Sequence, residues 1–536
     1  MTQNMHAFES ENDILIIDTG IGFPEAEQLG VDVLIPDVTY LRNKIHKIRG
    51  IVISHAHEDH IGGLPYVLRE LGPIPVYASK LPRAFIQNKL VEFNMLTGQP
   101  LNLIEPEKGS FRLGEFELTP YRVNHSVPDA LGFFIRTPIG NIVYSPDFKF
   151  DWTPVDGRLF EIGKLAKLAD QGVMALFSDC LGANREGYTE TERTIQRAFE
   201  REMENAPNQV FITTVSSNIS RMQQAINASR KYGRRVVPIG RSIEQNIEIA
   251  LNLGYLDVPK ESVVKLDDTR RIPGRKLTYL IAGSYGQKGS ALERLTRDEV
   301  RNIKLRENAV IIFSADPIPG IYDQVSTVVD NLTEKRARVV YSEVQDDLHV
   351  SGHGSRGDLS MMIGIAQPKY FVPIGGSSRH QHSYRLLVEK MGFDGNRVFE
   401  VRRNGTVEFS REGAKPGPQV ETRDVFVDGS LVGDVGRKVL EDRLKLAEEG
   451  IVVAILKKTS NGLLDERSDI ISRGFVYMVE SKELIRKAQS VIGKKVKGHK
   501  ASDWQKTKLM LEKELGSFFY RETKRRPMIL PVLVNV

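Results

Sequence analysis

The stretch IVISHAHEDHIGGLPYVL, residues 51–68, decides how this chain folds and where its chemistry lies. Three of the chain's 11 histidines fall within six residues here, as His55, His57 and His60. The apolar residues 51–54 predict a strand, and Leu64–Leu71 predicts a helix. Side chains two apart at a strand exit point the same way, so His55 and His57 can hold one metal ion.

Asp59 and His60 lie at the turn before the helix, where they face a second ion a few ångström away. Imidazoles and carboxylates together suit Zn²⁺, with Mn²⁺ as a competitor. A single cysteine, Cys180, excludes a cysteine-built zinc site and a disulfide framework. The competing interpretation is that these are core histidines satisfied by hydrogen bonds.

Further candidate ligands follow other predicted strands. His125 comes after the strand at 118–123, and Asp147 comes after the strand at 142–144, where a carboxylate can bridge two ions. Asp18 ends a strand at 15–20 and would orient a ligand histidine by accepting its hydrogen bond. Taken singly each is an ordinary polar residue, but together with the histidine cluster they predict a binuclear site.

Composition narrows the class of protein. The 536 residues are 40% hydrophobic and 27% charged, a globular balance that suggests several domains of roughly 150 residues. No apolar run approaches the roughly 18 residues of a spanning helix, so we expect no membrane association. The first residues show no secretory signal, and the single cysteine fits a reducing compartment, so we expect a cytoplasmic protein.

Positive charge is concentrated near the end of the sequence. Residues 451–536 carry 18 Lys/Arg and 9 Asp/Glu, whereas the whole chain has a net charge of only +5. The densest basic runs are 494–500 and 524–526. This asymmetry predicts a polyanionic partner, although a solvated basic face without a ligand explains it equally well.

The middle of the chain alternates strands and helices. Residues 210–214, Arg235–Ile239, 278–282 and 310–314 are apolar runs separated by helical patterns, which predicts a parallel sheet with crossover helices. Thr189 and Glu192 have the spacing of a capping box that opens the first of these helices. Residues 411–419 predict a loop or linker, and a new domain begins with a strand at 451–456.

The ordered set Asp18, HAHEDH (55–60), His125 and Asp147 resembles the motif series of the metallo-β-lactamase superfamily. Asp179 in FSDC (177–180) and His353 in HVSGH (349–353) resemble motifs of its β-CASP branch, and within it the ribonuclease J family. The resemblance covers essentially the whole chain. It is carried by LGVDVLIPDVTYL (29–41), HAHEDHIGGLPYVL (55–68), NIVYSPDFKFD (141–151), SNISRMQQ (217–224), PIPG (317–320), HVSGHGS (349–355), ISRGFVY (471–477) and TKRRPMILPV (523–532).

The resemblance implies an α/β fold, in which a metallo-β-lactamase αββα sandwich carries an inserted β-CASP domain of parallel sheet and flanking helices. A small α/β C-terminal domain follows. The expected boundaries are 1–192 and 349–430 for the two parts of the metallo-β-lactamase domain, 193–348 for the β-CASP domain, 431–445 for a linker and 446–536 for the C-terminal domain. It also implies cytoplasmic homodimers or homotetramers.

The implied activity is a 5′→3′ exoribonuclease that prefers a 5′-monophosphate and also cleaves RNA internally. Two Zn²⁺ per subunit are expected, with Mn²⁺ or Mg²⁺ as alternatives. The metal ligands would be His55, His57, Asp59, His60, His125 and Asp147. Asp18 would accept a hydrogen bond from a ligand histidine. Catalysis is assigned to His353 as general acid, to Asp179, which holds its imidazole, and to Asp59.

Substrate phosphates need donors near this site. The residues assigned to RNA are Ser217, Asn218, Arg241, Ser242, His349, Val350, Ser351, Gly352 and His353. The family analogy supplies Ser217, Asn218 and the 349–353 loop, while Arg241 and Ser242 follow a predicted strand. Alternatively, the 349–353 loop contacts phosphate without acid–base work. Arg221 is expected to be structural or to contact backbone.

One position departs from the family pattern. The family places a ligand histidine after the strand that here reads Tyr370–Ile374, and this chain has Gly375 there. The departure predicts a weakened second metal site, with water in the gap or with His380 or His382 swung in. Three alternatives stay open: a DNA nuclease of the same branch, a small-molecule hydrolase, and an RNA-binding scaffold whose metal site has decayed.

Overall fold

A computed structural model describes residues 3–315, 322–401, 404–476 and 481–535. The motif at 317–320 and the last residue of the motif at 471–477 lie outside these ranges. The chain forms two compact units, one of residues 1–23 and 33–425 and one of residues 24–32 and 426–536. Among the described residues, no helix is long and apolar enough to cross a membrane.

Two sheets form the centre of the first unit. In spatial order, the first sheet contains His6–Glu9, Ile14–Ile17, Ile48–Val52, Val76–Ala78 and Leu101–Leu103. The second contains Tyr370–Ile374, Ala175–Asp179, Gly140–Ser145, Leu131–Thr137, Phe116–Arg122 and Phe111–Leu113. The short strand Val33–Ile35 pairs through Leu34 with Gly22.

The sheets pack face to face, and successive side chains along each strand point alternately to one buried face and to the other. Leu15 and Ile17 join Phe133 and Ile135 of the second sheet in one core cluster. Ile14 and Ile16 instead pack in a cluster with the helices that cover the outer face of the first sheet. The other side of the second sheet is covered by further helices. This layering is the αββα sandwich that the resemblance implies.

Helices of the sandwich flank both sheets. They are Thr39–Arg42, Glu58–Ile61, Leu64–Leu71, Lys80–Glu92, Ile162–Ala169, Arg356–Ala366 and Ser378–Lys390. The predicted helix Leu64–Leu71 and the predicted strand Tyr370–Ile374 have exactly these bounds in the structure. Residues 411–419, predicted as a loop or linker, instead contribute to an antiparallel hairpin of Val407–Phe409 and Ala414–Pro416.

The inserted part is a parallel sheet, as its apolar β-branched runs predict. Its strands lie in the order Arg235–Ile239, Leu277–Ile281, Val210–Thr213, Val310–Phe313 and Arg338–Val340. Its helices are Thr194–Glu204, Ile219–Lys231, Arg241–Leu253, Ala291–Thr296 and Tyr322–Glu334. The sheet is buried on both faces, which a sheet of this kind requires.

The capping-box prediction at Thr189 and Glu192 is wrong. The helix begins at Thr194 after Arg193, with no side-chain cap. The Thr189 hydroxyl donates to the backbone carbonyl of His353, and the Glu192 carboxylate pairs with Arg221. Both side chains are taken up by long-range contacts, so neither is left to cap a local helix.

The second unit has its own sheet and core. Its strands lie in the order Leu464–Arg473, Ile451–Lys458 and Met528–Asn535, beside the helices Lys482–Val496 and Trp504–Thr523. Phe518 and Phe519 are buried in its core. The strands Val425–Asp428 and Leu431–Val432 and the helix Arg437–Glu449 precede it, so a helix occupies much of the expected linker at 431–445.

Candidate metal centre

Several strands of the sandwich end at one place, where polar side chains follow each of them. His55 and His57 follow Ile48–Val52, and the one-turn helix Glu58–Ile61 carries Asp59 and His60. The remaining members follow or end other strands: Asp18, His125, Asp147 and Asp179. Strand ends of two sheets thus bring together residues that are far apart in the sequence.

The first group of donor atoms belongs to His55, His57, His125 and Asp147, all within 4.8 Å of one another. His57 Nδ1 lies 3.0 Å from His125 Nε2, and Asp147 Oδ2 lies 3.7 Å from His55 Nε2. Ligands about 2.1 Å from a tetrahedral zinc ion are about 3.4 Å apart, so these separations fit one ion. The buried His55 Nε2 has no hydrogen-bond partner in the described part of the chain.

The second group is Asp59, His60 and Asp147. His60 Nε2 lies 3.2 Å from Asp147 Oδ2 and 3.9 Å from Asp59 Oδ2. Asp147 therefore belongs to both groups, as a bridging carboxylate between two ions must. The residues present fit a binuclear metal centre, with four donors on one side and three on the other.

Each histidine of the centre is oriented by the ring nitrogen that faces away from it. His55 Nδ1 lies 3.0 Å from Ser54 Oγ, and His57 Nε2 lies 3.1 Å from Ser126 Oγ. His125 Nδ1 donates to the Gly352 carbonyl at 2.8 Å. His60 Nδ1 donates to Asp18 Oδ2 at 2.8 Å, the position expected for Asp18. Such partners fix the tautomer so that the inward nitrogen keeps its lone pair.

The electrostatics of the centre favour cation binding. Burial lowers the pKa of His55 and His57 well below its usual value and lowers the pKa of His125 to about 4. These rings are therefore neutral at pH 7, as metal ligands must be. Burial also lowers the pKa of His60, but the carboxylates of Asp147 and Asp18 outweigh it and hold that pKa well above its usual value. This side of the centre demands positive charge.

Gly375 lies beside the centre, next to Asp179 and Asp147. Its φ is +77°, and a Cβ added there would lie 3.4 Å from Asp179 Oδ1 and 3.8 Å from Asp147 Oδ1. His380 is occupied elsewhere, because its Nδ1 accepts the backbone N–H of Ser377 in a helix cap. His382 is exposed beside Glu400. Neither histidine belongs to a metal-like group of the described residues.

His353 lies beside the centre in the 349–353 loop. Its Nδ1 donates to Asp179 Oδ2 at 2.7 Å, while its Nε2 lies 3.8 Å from Asp147 Oδ2. Asp179 is held in turn by the backbone N–H of Leu181 at 2.9 Å. Burial lowers the pKa of His353, but Asp179 and Asp147 outweigh it and raise that pKa to about 9. The imidazole thus carries a proton at neutral pH.

The 349–353 loop is anchored residue by residue. The Gly352 carbonyl accepts from His125, and the His353 carbonyl accepts from Thr189 Oγ1 at 2.8 Å. Arg185 Nη2 donates to Ser351 Oγ at 3.0 Å. The same loop therefore orients one candidate metal ligand and carries the candidate acid, while His349 and Val350 lie at its start.

The other residues assigned to RNA belong to the inserted part. Ser217 and Asn218 are buried before the helix Ile219–Lys231, and Asn218 Oδ1 accepts the backbone N–H of Arg221 at 2.8 Å. The Asn218 side chain can therefore donate a hydrogen bond to a phosphate only through its amide nitrogen. Arg241 and Ser242 are exposed in the first turn of the helix Arg241–Leu253. The described contacts do not bring this pair to the metal centre.

One residue of the site, Asn4, escaped sequence reasoning, and a second, Arg221, is resolved between its two expected roles. Asn4 is buried with its Nδ2 3.0 Å from His60 Nε2, and no motif marks a residue that precedes the first strand. Arg221 is fully buried and donates to Glu192 Oε2 at 2.8 Å, to Ser314 Oγ at 2.7 Å and to the Leu348 carbonyl at 3.4 Å. It thus holds the start of the 349–353 loop, which settles its role as structural.

Replacing Arg221 with methionine is expected to lower the free energy of unfolding by about 3–5 kcal/mol, because the buried Glu192 would lose its hydrogen-bonded partner and keep only the Lys149 ammonium, 3.8 Å away. Urea unfolding of the purified protein measures this. Arg234 is the matched control: it is buried but donates to the carbonyls of Asn208, Ala206 and Leu277. Arg234→Met should cost only about 1–3 kcal/mol, and equal losses would contradict the ion-pair account.

A sandwich of two sheets with a HxHxDH turn and a shared aspartate at its edge defines a metallo-hydrolase of the metallo-β-lactamase superfamily. The model of that superfamily matches residues 2–179. Residues 207–332 match the ribonuclease J β-CASP domain, residues 337–399 the Zn-dependent metallo-hydrolase RNA specificity domain, and residues 438–536 the ribonuclease J C-terminal domain. The chain belongs to the ribonuclease J family.

Full-length relatives support this assignment. The chain is 34% identical to ribonuclease J2 of Bacillus subtilis (strain 168), with 100% of this chain and 96% of the relative covered. It is 36% identical to ribonuclease J of Thermus thermophilus, with 99% and 93% covered. A crystal structure of a protein of unknown function from Enterococcus faecalis V583 has a TM-score of 0.50 at 16% identity, covering 74% of this chain and 95% of that one, and supports the fold alone.

Proposed function

We propose that this chain is a metal-dependent ribonuclease that degrades RNA in the 5′→3′ direction, prefers a 5′-monophosphate and also cleaves internally. The observation that carries the proposal is Asp147, shared by two groups of metal donors beside the His353–Asp179 pair, in a chain of the ribonuclease J family. The ribonuclease activity rests on the family and the site together, while direction and end preference rest on the family alone.

The proposed cofactor is a pair of Zn²⁺ ions per subunit, with Mn²⁺ or Mg²⁺ as competitors. His55, His57, His125 and Asp147 would hold the first ion, and Asp59, His60 and Asp147 the second. The absence of a side chain at Gly375 weakens the second site and leaves the first intact. Two such cations supply a water of lowered pKa and positive charge beside the phosphate oxygens.

The chain's own residues orient the reaction. His353 holds a proton on Nε2 and gives it to the departing 3′-oxygen, so that a 3′-hydroxyl and a 5′-phosphorylated strand leave the site. Asp179 accepts the hydrogen bond from Nδ1 and stabilises the protonated ring. Asp59, one of the three carboxylates around His60, adds negative charge at the same edge.

RNA phosphates are proposed to bind donors of the inserted part and of the 349–353 loop. Ser217, Asn218, Arg241 and Ser242 would hold the 5′ end, with backbone and side-chain donors of residues 349–353 near the scissile phosphate. The basic runs of the C-terminal part would add salt-sensitive affinity for any RNA sequence. The single cysteine favours a reducing compartment such as the cytoplasm.

The domain boundaries and the assembly are proposals of the same kind. The metallo-β-lactamase domain would comprise 1–192 and 349–430, the β-CASP domain 193–348, the linker 431–445 and the C-terminal domain 446–536. The assembly is proposed to be a homodimer or homotetramer, which the molar mass from light scattering tests.

Digestion of end-labelled RNAs tests the activity. Matched RNAs bearing a 5′-monophosphate, triphosphate or hydroxyl are incubated with the protein, with and without added Zn²⁺ or Mn²⁺. Mononucleotides released first from the monophosphorylated RNA, and only with metal, are the expected result. Intact RNA with bound metal would contradict the ribonuclease, and equal cleavage of matched DNA would favour the DNA nuclease.

Gly375 gives the proposal a gain-of-function test. Gly375→His should tighten binding of the second ion about tenfold or more, because an imidazole there faces Asp147 and adds a ligand. The positive φ costs a residue with a side chain roughly 1–2 kcal/mol. That strain is the same with and without metal, so it lowers the stability of the fold and not the affinity for the ion. Gly364→His, on an open helix surface, is the control. Calorimetric titration with Zn²⁺ measures both, and unchanged affinity in Gly375→His would contradict the assigned gap.

A further inference from the structure

A buried asparagine from the start of the chain lies inside the second group of metal donors. Asn4 is only 4% exposed, and its Nδ2 lies 3.0 Å from His60 Nε2 and 3.5 Å from Asp59 Oδ2. His60 Nε2 lies 3.2 Å from Asp147 Oδ2. These separations are close to the roughly 3.4 Å expected between ligands of one tetrahedral ion. The amide end of Asn4 thus occupies the place of a fourth ligand.

The backbone of Asn4 is held without help from its side chain. Its N–H donates to the Asp59 carbonyl at 3.3 Å, and its carbonyl accepts the Gly20 N–H at 2.9 Å. These two bonds tie residue 4 to the turn that carries Asp59 and to the loop after Asp18. The Asn4 side chain is therefore not needed to hold the backbone in place and can bind a ligand at the site.

The Asn4 amide can present either its nitrogen or its oxygen to the second group of donors. His60 Nδ1 is bonded to Asp18 Oδ2, so His60 Nε2 is the ring nitrogen that faces the Asn4 amide, 3.0 Å away. A half-turn about the Cβ–Cγ bond of Asn4 puts its carbonyl oxygen in the same place, and that oxygen is a ligand for hard divalent cations.

We propose that Asn4, placed against His60 and Asp59, is the fourth protein ligand of the second metal ion through its amide oxygen. This deepens the proposed function and rests on its binuclear centre. The second site then has one imidazole, two carboxylates and one amide oxygen, whereas the first has three imidazoles and one carboxylate. Oxygen-rich sites suit Mn²⁺ and Mg²⁺, and imidazole-rich sites suit Zn²⁺. The two positions of the centre therefore differ in the metal they prefer.

The test is a metal titration that uses no RNA. Full-length protein loaded with one equivalent of Zn²⁺ is titrated with Mn²⁺, and free Mn²⁺ is followed by electron paramagnetic resonance. The wild type should bind one Mn²⁺, and Asn4→Ala should bind it at least tenfold more weakly. Asn4→Asp, which restores an oxygen ligand, should recover or exceed the wild-type affinity. Asn12→Ala is the matched control, since Asn12 is exposed and donates to Glu115 away from the centre.

Three results would overturn the proposal: no Mn²⁺ bound by the wild type, equal affinities in the wild type and Asn4→Ala, or a loss that Asn4→Asp does not recover. The last would mark a packing role for the side chain. Thermal unfolding of each variant confirms that it is folded. Because no step measures cleavage, a protein that binds Mn²⁺ as expected but leaves RNA intact would refute the ribonuclease and support the ligand.

Discussion

Asp147→Ala is expected to lose both metal ions and to lower RNA turnover by at least about 10⁴-fold, because one carboxylate serves both halves of the centre. Asp147 Oδ2 lies 3.2 Å from His60 Nε2, 3.7 Å from His55 Nε2 and 3.8 Å from His125 Nε2. Removing any single histidine would take a donor from only one of the two groups. Elemental analysis of the purified variant and single-turnover cleavage of monophosphorylated RNA measure the two effects.

The control for this variant is Asp170→Ala, which removes an exposed carboxylate at the end of the helix Ile162–Ala169. It should keep both ions and full activity. Two ions retained by Asp147→Ala would show that the two groups of donors do not share this residue. The binuclear account would then be wrong.

His353→Ala is expected to lower kcat by about 10²–10⁴-fold while the Kd for RNA changes little, because the variant removes the proton donor to the leaving oxygen. Metal content should stay at the wild-type value, since His353 pairs with Asp179. The metal-like group that these two form with Asp147 shares only Asp147 with the two proposed sites around His55 and His60. Cleavage rates at saturating RNA give kcat, and binding to a non-cleavable RNA gives the Kd.

The exposed His382 gives the matched control, and His382→Ala should leave both constants unchanged. A collapse of RNA affinity in His353→Ala with an unaltered kcat would assign the 349–353 loop to phosphate contact alone. That is the alternative left open by its sequence, and the two constants separate it from acid catalysis.

Much of the site was predictable because its first ligands are consecutive in the chain. His55, His57 and His60 lie within six residues after one strand, so local geometry alone brings them together. His125 and Asp147 could be added because each follows an apolar strand. The bounds of Arg235–Ile239 were also predictable, since a buried parallel strand is a continuous apolar run between turns.

The remaining features depend on contacts between distant residues. Glu192 and Arg221 pair across 29 positions, and that pairing removes the local cap that the Thr189–Glu192 spacing indicates. Asn4 reaches His60 across 56 positions, and nothing in its neighbourhood marks it as a ligand. A short-range sequence pattern can predict strands and turns, but it cannot predict which buried polar groups form hydrogen bonds with one another.

Anomalous diffraction from crystals grown with Zn²⁺ and Mn²⁺ tests the central claim most directly. Data collected at the absorption edges of the two metals should show two peaks about 3.5–4 Å apart, on either side of Asp147. The peak among His55, His57 and His125 should be Zn²⁺, and the peak beside Asp59 and His60 should be Mn²⁺-rich. No peak in contact with Asp147, despite ample metal in the crystal, would contradict the account.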